Sequence, residues 1–332
     1  MLHCARDVHH CGWVDSTPSD QVETAEPSSR FSRRRILSLA GSGVALVGLG
    51  ALGVELVDHG VLPGQSVLNE IDGACQLDVP QHSYGPVGQE ITGSFYSRRR
   101  HSDVGYSIGL PADFRPGDTV PLIVFLHGEF SSHRESLGIA STPARAVALK
   151  IPGRPLAPLA IATVDGGSHY WHKFNNDDPM AMVVDEFLPK CRRLGLGTTT
   201  GSVGAMGLSM GGYGSLIFGE HHPDIFSAVA ALSPAIWTSY SQAHGANARA
   251  YSSAANFAQF DAVTHASKLA HSATFLASGF HDPFYPGAQA FRNALAPETR
   301  ARIIFAKGCH GGSFYTLHMP AALSFMSQHL TA

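Results

Sequence analysis

Ser202-Val203-Gly204-Ala205-Met206-Gly207-Leu208-Ser209-Met210-Gly211-Gly212 is a short apolar run that drives straight into Gly-x-Ser-x-Gly. A strand that ends in such a turn and passes at once into a helix leaves its serine on a strained corner, with the hydroxyl exposed at the carboxyl edge of a sheet. A side chain at Gly207 or Gly211 would collide with the neighbouring strand or helix. Beyond the turn, Tyr213, Leu216, Ile217 and Glu220 recur at helical spacing, and His221-His222-Pro223 close the helix. This context marks Ser209 as the candidate nucleophile.

The chain carries a control. Gly105-Tyr106-Ser107-Ile108-Gly109 fits the same five-letter pattern. Around it Val104, Tyr106, Ile108 and Leu110 alternate with small or polar residues, and Pro111 follows, which reads as a half-exposed strand entering a loop. No helix can start there, so Ser107 is set aside.

Outward from Ser209, Pro121-Leu122-Ile123-Val124-Phe125-Leu126-His127-Gly128 and Leu159-Ala160-Ile161-Ala162-Thr163-Val164 are continuous apolar runs, as expected of strands buried on both faces of a parallel sheet. Residues 228–232, 274–277 and 302–305 supply further strands, and 142–150 and 180–194 read as helices. From Gly88 the alternation of Ile91, Gly93 and Phe95, the basic turn Arg98-Arg99-Arg100 and the Ser107 strand form an edge hairpin. The arginines suit a solvated turn or a contact with anionic lipid. Strands alternating with helices give an α/β domain with a mostly parallel sheet over residues 88–332.

A serine hydroxyl needs a base to remove its proton, and the base needs an orienting acid. Asp282 lies at the carboxyl end of one strand, in Ser278-Gly279-Phe280-His281-Asp282-Pro283, and His310 lies in the Gly-rich loop after the last strand. Both emerge on the same edge as Ser209, and His281 is the rival base. An oxyanion formed at Ser209 requires donors already in place. Met210 N–H is the first and Glu129 N–H the second, although a glutamate there must keep its carboxylate away from developing negative charge. His127, Trp171 and Trp237 are the expected substrate contacts, with core packing the alternative for Trp171. The aromatic stretch 234–272 suits a lid over an acyl chain or a cap buried for stability.

A hydrophobic fraction of 44%, a charged fraction of 15% and a net charge of −3 describe a globular chain with no electrostatic pull toward nucleic acid. Residues 1–30 are polar and favour a disordered leader. Within 31–58, Arg33-Arg34-Arg35 precede an apolar, Gly-rich run, resembling a twin-arginine export signal or an uncleaved membrane anchor. Residues 59–87 read as a linker. Export leaves the catalytic part outside the cell, secreted or held at the membrane surface. Cys4 and Cys11 fall in the leader; of Cys75, Cys191 and Cys309, at most one bridge forms, and Cys75–Cys191 is the expected pair.

From Gly88 to Leu330 the chain resembles the esterase D and antigen 85 group of α/β-hydrolases, through Leu126-His127-Gly128, Gly207-Leu208-Ser209-Met210-Gly211-Gly212, Ser278-Gly279-Phe280-His281-Asp282-Pro283 and Gly308-Cys309-His310. The resemblance implies an α/β-hydrolase fold and hydrolysis of a small-molecule or lipid carboxylic ester, or acyl transfer, through an acyl-serine and without cofactor or metal. Mycolyltransferases of that group usually carry Glu as the acid, so Asp282 favours a hydrolase over a cell-envelope acyltransferase. Glu129 in the oxyanion loop is the feature that favours a third reading, an inactive binding protein that keeps the fold.

Overall fold

The computed structural model describes residues 73–135, 137 and 142–331. The expected leader and export segment lie outside these residues, and so do Cys4 and Cys11. Among the described residues no helix is long and apolar enough to cross a membrane.

Eight strands form one sheet: β1 (Glu90–Ser97), β2 (Ser102–Gly109), β3 (Leu122–Leu126), β4 (Ala160–Val164), β5 (Val203–Leu208), β6 (Ala228–Leu232), β7 (Ala273–Gly279) and β8 (Ala301–Ala306). Their order across the sheet is β8-β7-β6-β5-β3-β4-β2-β1. β1 and β2 form the edge hairpin, β2 runs antiparallel to β4, and all other pairs are parallel. This is the α/β-hydrolase fold.

The apolar runs are continuous because the central strands have no solvent face. Along β3, Leu122, Val124 and Leu126 enter one core while Ile123 and Phe125 enter the other. The first core is closed by the helix Met210–His221, which is buried on all sides as far as Glu220. It is also closed by a helix over 179–192 that passes through a π-helical stretch, Val183–Phe187. The second is closed by Gly312–His329 and the short helix Pro143–Val147, where Pro143 takes the first turn and Thr142 caps it. That helix stops short of the expected 150 because Leu149–Lys150 leave it to pair with Ser83–Tyr84.

One expectation is corrected and one holds in part. Cys75 is bonded to Cys309, not to Cys191. Cys191 is a free thiol turned into the first core from the helix Leu188–Arg192, and burial pushes its pKa up to about 12. The basic turn is solvated at Arg98 and Arg99, which are exposed, and anchored at Arg100. Arg100 donates from Nε and Nη2 to Asp177 at 2.9 and 3.0 Å and from Nη1 to the Asp165 carbonyl at 2.7 Å. Arg99 pairs with Asp185, and Glu186 accepts the backbone N–H groups of Arg98 and Arg99.

Candidate active site

The carboxyl ends of the parallel strands share one edge, where loops from different strands converge. Ser209 follows the last residue of β5 directly and the helix Met210–His221 follows Ser209 directly. Its backbone sits at φ 54° and ψ −118°, a conformation unfavourable for a residue with a side chain. The strain is held by both neighbours: Ser209 N–H donates to Leu232 O at 2.9 Å, and its carbonyl accepts Ala235 N–H at 3.0 Å. A Cβ on Gly207 would run into the Gly211 backbone, and one on Gly211 into the carbonyl of Leu126, so the corner closes only with glycine at both places.

His310 Nε2 lies 2.8 Å from Ser209 Oγ. Its Nδ1 lies 3.1 and 3.0 Å from the two carboxylate oxygens of Asp282. A carboxylate facing Nδ1 keeps the proton there, which leaves Nε2 as the acceptor for the serine hydroxyl. The Asp282 side chain is fully buried and its Oδ1 also accepts the Phe284 N–H at 2.9 Å, so the acid is locked in place. His281, the rival base, is exposed and bonds through its backbone to Gly308 O.

The loop after β3 meets the serine from the other side. A methyl group on Gly128 would stand 3.6 Å from Ser209 Cβ, so this loop, with Glu129 next in it, passes close to the serine, and Met210 opens the helix directly after Ser209. His127 and Trp171 do not contact the cleft, contrary to expectation; both are buried and brace this loop from beneath. His127 Nε2 accepts Gly166 N–H at 2.9 Å and Nδ1 donates to Gly128 O at 2.8 Å. The ring is therefore neutral. Burial holds its pKa below the ordinary histidine value, against the Gly128 bond and the Asp165 carboxylate, which raise it. Trp171 Nε1 donates to His127 O at 3.0 Å, and its ring occupies the space left by Gly166 and Gly214.

Trp237 does reach the site. Its half-buried ring meets Phe284 edge-on at 4.8 Å, and Phe284 lies 5.2 Å from the His310 ring. Of the other aromatics in 234–272, Tyr251, Phe257 and Phe260 are buried, Tyr251 and Phe260 stacking on His172 from beside Tyr213. They act as a cap packed for stability.

The family described as "Putative esterase" matches residues 97–315. This chain belongs to that family. The esterase matches no curated protein. Among solved structures it is similar to a ferulic acid esterase, at 21% identity and a TM-score of 0.59 over 73% of this chain and 98% of the other. An S-formylglutathione hydrolase from Agrobacterium tumefaciens is similar at 16% identity and 0.59, over 77% and 100%. The substrate-bound fluorophosphonate-binding serine hydrolase F of Staphylococcus aureus is similar at 17% and 0.58, over 73% and 99%. These likenesses carry the fold, and the family carries the chemistry: the chain is a hydrolase of carboxylic esters.

Sequence reasoning missed three residues of the esterase's site. Tyr315 sets its ring edge-on to His310 at 5.8 Å with its hydroxyl beside Ser209, and burial pushes its pKa up, so it stays a donor. A tyrosine one turn into the helix that follows the His310 loop was the available signal. Phe284, two residues past the acid, had a similar one. Asn247, whose Nδ2 donates to Glu129 Oε1 at 2.9 Å, had none, because 118 residues separate the pair.

Proposed function

We propose that the chain is an exported serine carboxylesterase in which Ser209, His310 and Asp282 act as nucleophile, base and acid. Ser209 Oγ attacks the ester carbonyl as its proton passes to His310 Nε2, and the carbonyl oxygen gains the negative charge. Met210 N–H and Glu129 N–H receive that charge. The C–O bond to the alcohol then breaks and the departing oxygen takes the proton from His310, leaving an acyl-serine. Water repeats the sequence, giving its proton to His310 and releasing the acid with Ser209 restored.

The observation that carries this reading is the hydrogen-bonded series from Asp282 through His310 to Ser209 Oγ at 2.8 Å. It is poised for proton transfer at a serine held on a strained corner. Support for export is the Arg33-Arg34-Arg35 sequence ahead of its apolar run. A fluorophosphonate probe should add a single phosphonyl group, located by peptide mass spectrometry on Ser209, and Ser209→Ala should take up none. An unlabelled native protein would favour the idle binding protein. Acyl transfer to trehalose outrunning hydrolysis would favour the acyltransferase.

A further inference from the structure

Glu129 is the odd residue of the site. It follows Gly128, on which a Cβ would stand 3.6 Å from Ser209 Cβ, and its half-exposed side chain sets a carboxylate beside Asn247 and Tyr170. Oε1 accepts from Asn247 Nδ2 at 2.9 Å, at the end of the helix Tyr240–Ala246, and no hydrogen bond to Oε2 is formed among the described residues. Asn247 is neutral. The ion pairs of the described residues are Arg99–Asp185, Arg100–Asp177, His133–Asp165, His169–Asp177 and His310–Asp282, so among the described residues no cation pairs with Glu129. Tyr170, which adjoins both Glu129 and Asn247, is held protonated by burial, its pKa pushed up to about 12. Beside Tyr170 stands Trp237, which joins the aromatic wall of Phe284 and His310.

An unanswered carboxylate next to an oxyanion hole works against the reaction, because it repels the charge that builds on the carbonyl oxygen. The opposition disappears if the substrate brings a positive charge of its own to that place. An aromatic wall beside a carboxylate is also how ammonium groups are recognised, the ring face and the anion each attracting the cation. We propose that the substrates of this esterase are cationic, esters whose alcohol or acyl part carries an ammonium group seated between the Glu129 carboxylate and Trp237. The proposal rests on hydrolysis at Ser209.

The full chain is assayed first on p-nitrophenyl acetate, with Ser209→Ala as control; no turnover there sinks the hydrolytic reading itself. Charge preference is then measured as kcat/KM on matched pairs. One pair is a choline ester against the 3,3-dimethylbutyl ester of the same acid. The other is the p-nitrophenyl ester of 4-(trimethylammonio)butyrate against that of 5,5-dimethylhexanoate. In at least one pair the cationic member should be favoured tenfold or more, and added salt should shrink the margin. Glu129→Gln keeps the backbone N–H and a side-chain acceptor for Asn247. It should move the members of that pair in opposite directions, slowing the cationic ester and quickening the neutral one, so that the ratio falls below threefold. Ratios near one in both pairs, or a ratio that Glu129→Gln leaves standing because both esters slow equally, would overturn the proposal while leaving the hydrolytic reading intact.

Discussion

Two stretches of this chain spell Gly-x-Ser-x-Gly, and they have nothing in common beyond the letters. Ser107 lies within β2, paired with Thr92 on one side and Thr163 on the other, buried and extended between two antiparallel neighbours. Ser209 lies where a parallel strand stops and a helix begins, at positive φ, with its hydroxyl against an imidazole. The glycines differ as well. A Cβ on Gly105 would strike the His133 ring, and one on Gly109 the backbone of Pro143 and Ala144, so that pair makes room for packing. Gly207 makes room for the Gly211 backbone, and Gly211 for the backbone of Leu126 and His127. The residues downstream of each serine separate the two: Pro111, which ends a strand, against Met210-Gly211-Gly212, which opens a helix.

That contrast can be broken outright. Ser209→Ala should lower kcat/KM on short p-nitrophenyl esters by about 10³-fold or more, while Ser107→Ala stays within about twofold of the native enzyme. Comparable losses in both would remove the distinction. A second test acts on the base that serves only one of the serines. Cys309 adjoins His310 and ties its loop to Cys75, 234 residues away. Replacing both cysteines by serine should lower unfolding stability by about 2–5 kcal/mol in denaturant titration and reduce kcat more than it raises KM. A variant with native stability and turnover would show that the bridge does not position the loop.

The smallest effect is the most diagnostic, since its sign differs between the sites. Ser209→Gly relieves an unfavourable backbone conformation and should raise stability by about 1 kcal/mol while abolishing turnover. Ser107→Gly puts glycine in a strand interior and should cost about 0.5–1 kcal/mol with turnover retained. Equal shifts of the same sign would mean that the corner at Ser209 is not strained.

Much of the architecture was legible. The six-residue apolar runs locate β3 and β4 because a strand covered on both faces has no polar position to show. The residues that end up around Ser209 were legible for a related reason: in a parallel sheet, the loops leaving the strands all emerge on one edge, so Asp282 and His310 had only one place to go. Orientation was not. His127 and Trp171 occupy the right loops, but the hollows at Gly166 and Gly214 draw the indole beneath the loop, where it bonds His127. The arginine turn looked free because Asp177, Asp185 and Glu186 lie far along the chain.

By itself, then, the amino-acid order settled what short-range sterics control: the period of each strand and helix, the corner that only glycines permit, and the edge on which the reactive groups emerge. The folded chain alone decided which distant partners meet, Cys75 with Cys309 and Asn247 with Glu129, and whether a side chain faces the cleft or the core. Closing a loop of more than a hundred residues costs nearly the same for many alternative pairings, so local sequence cannot choose among them. The packing of the whole interior makes that choice.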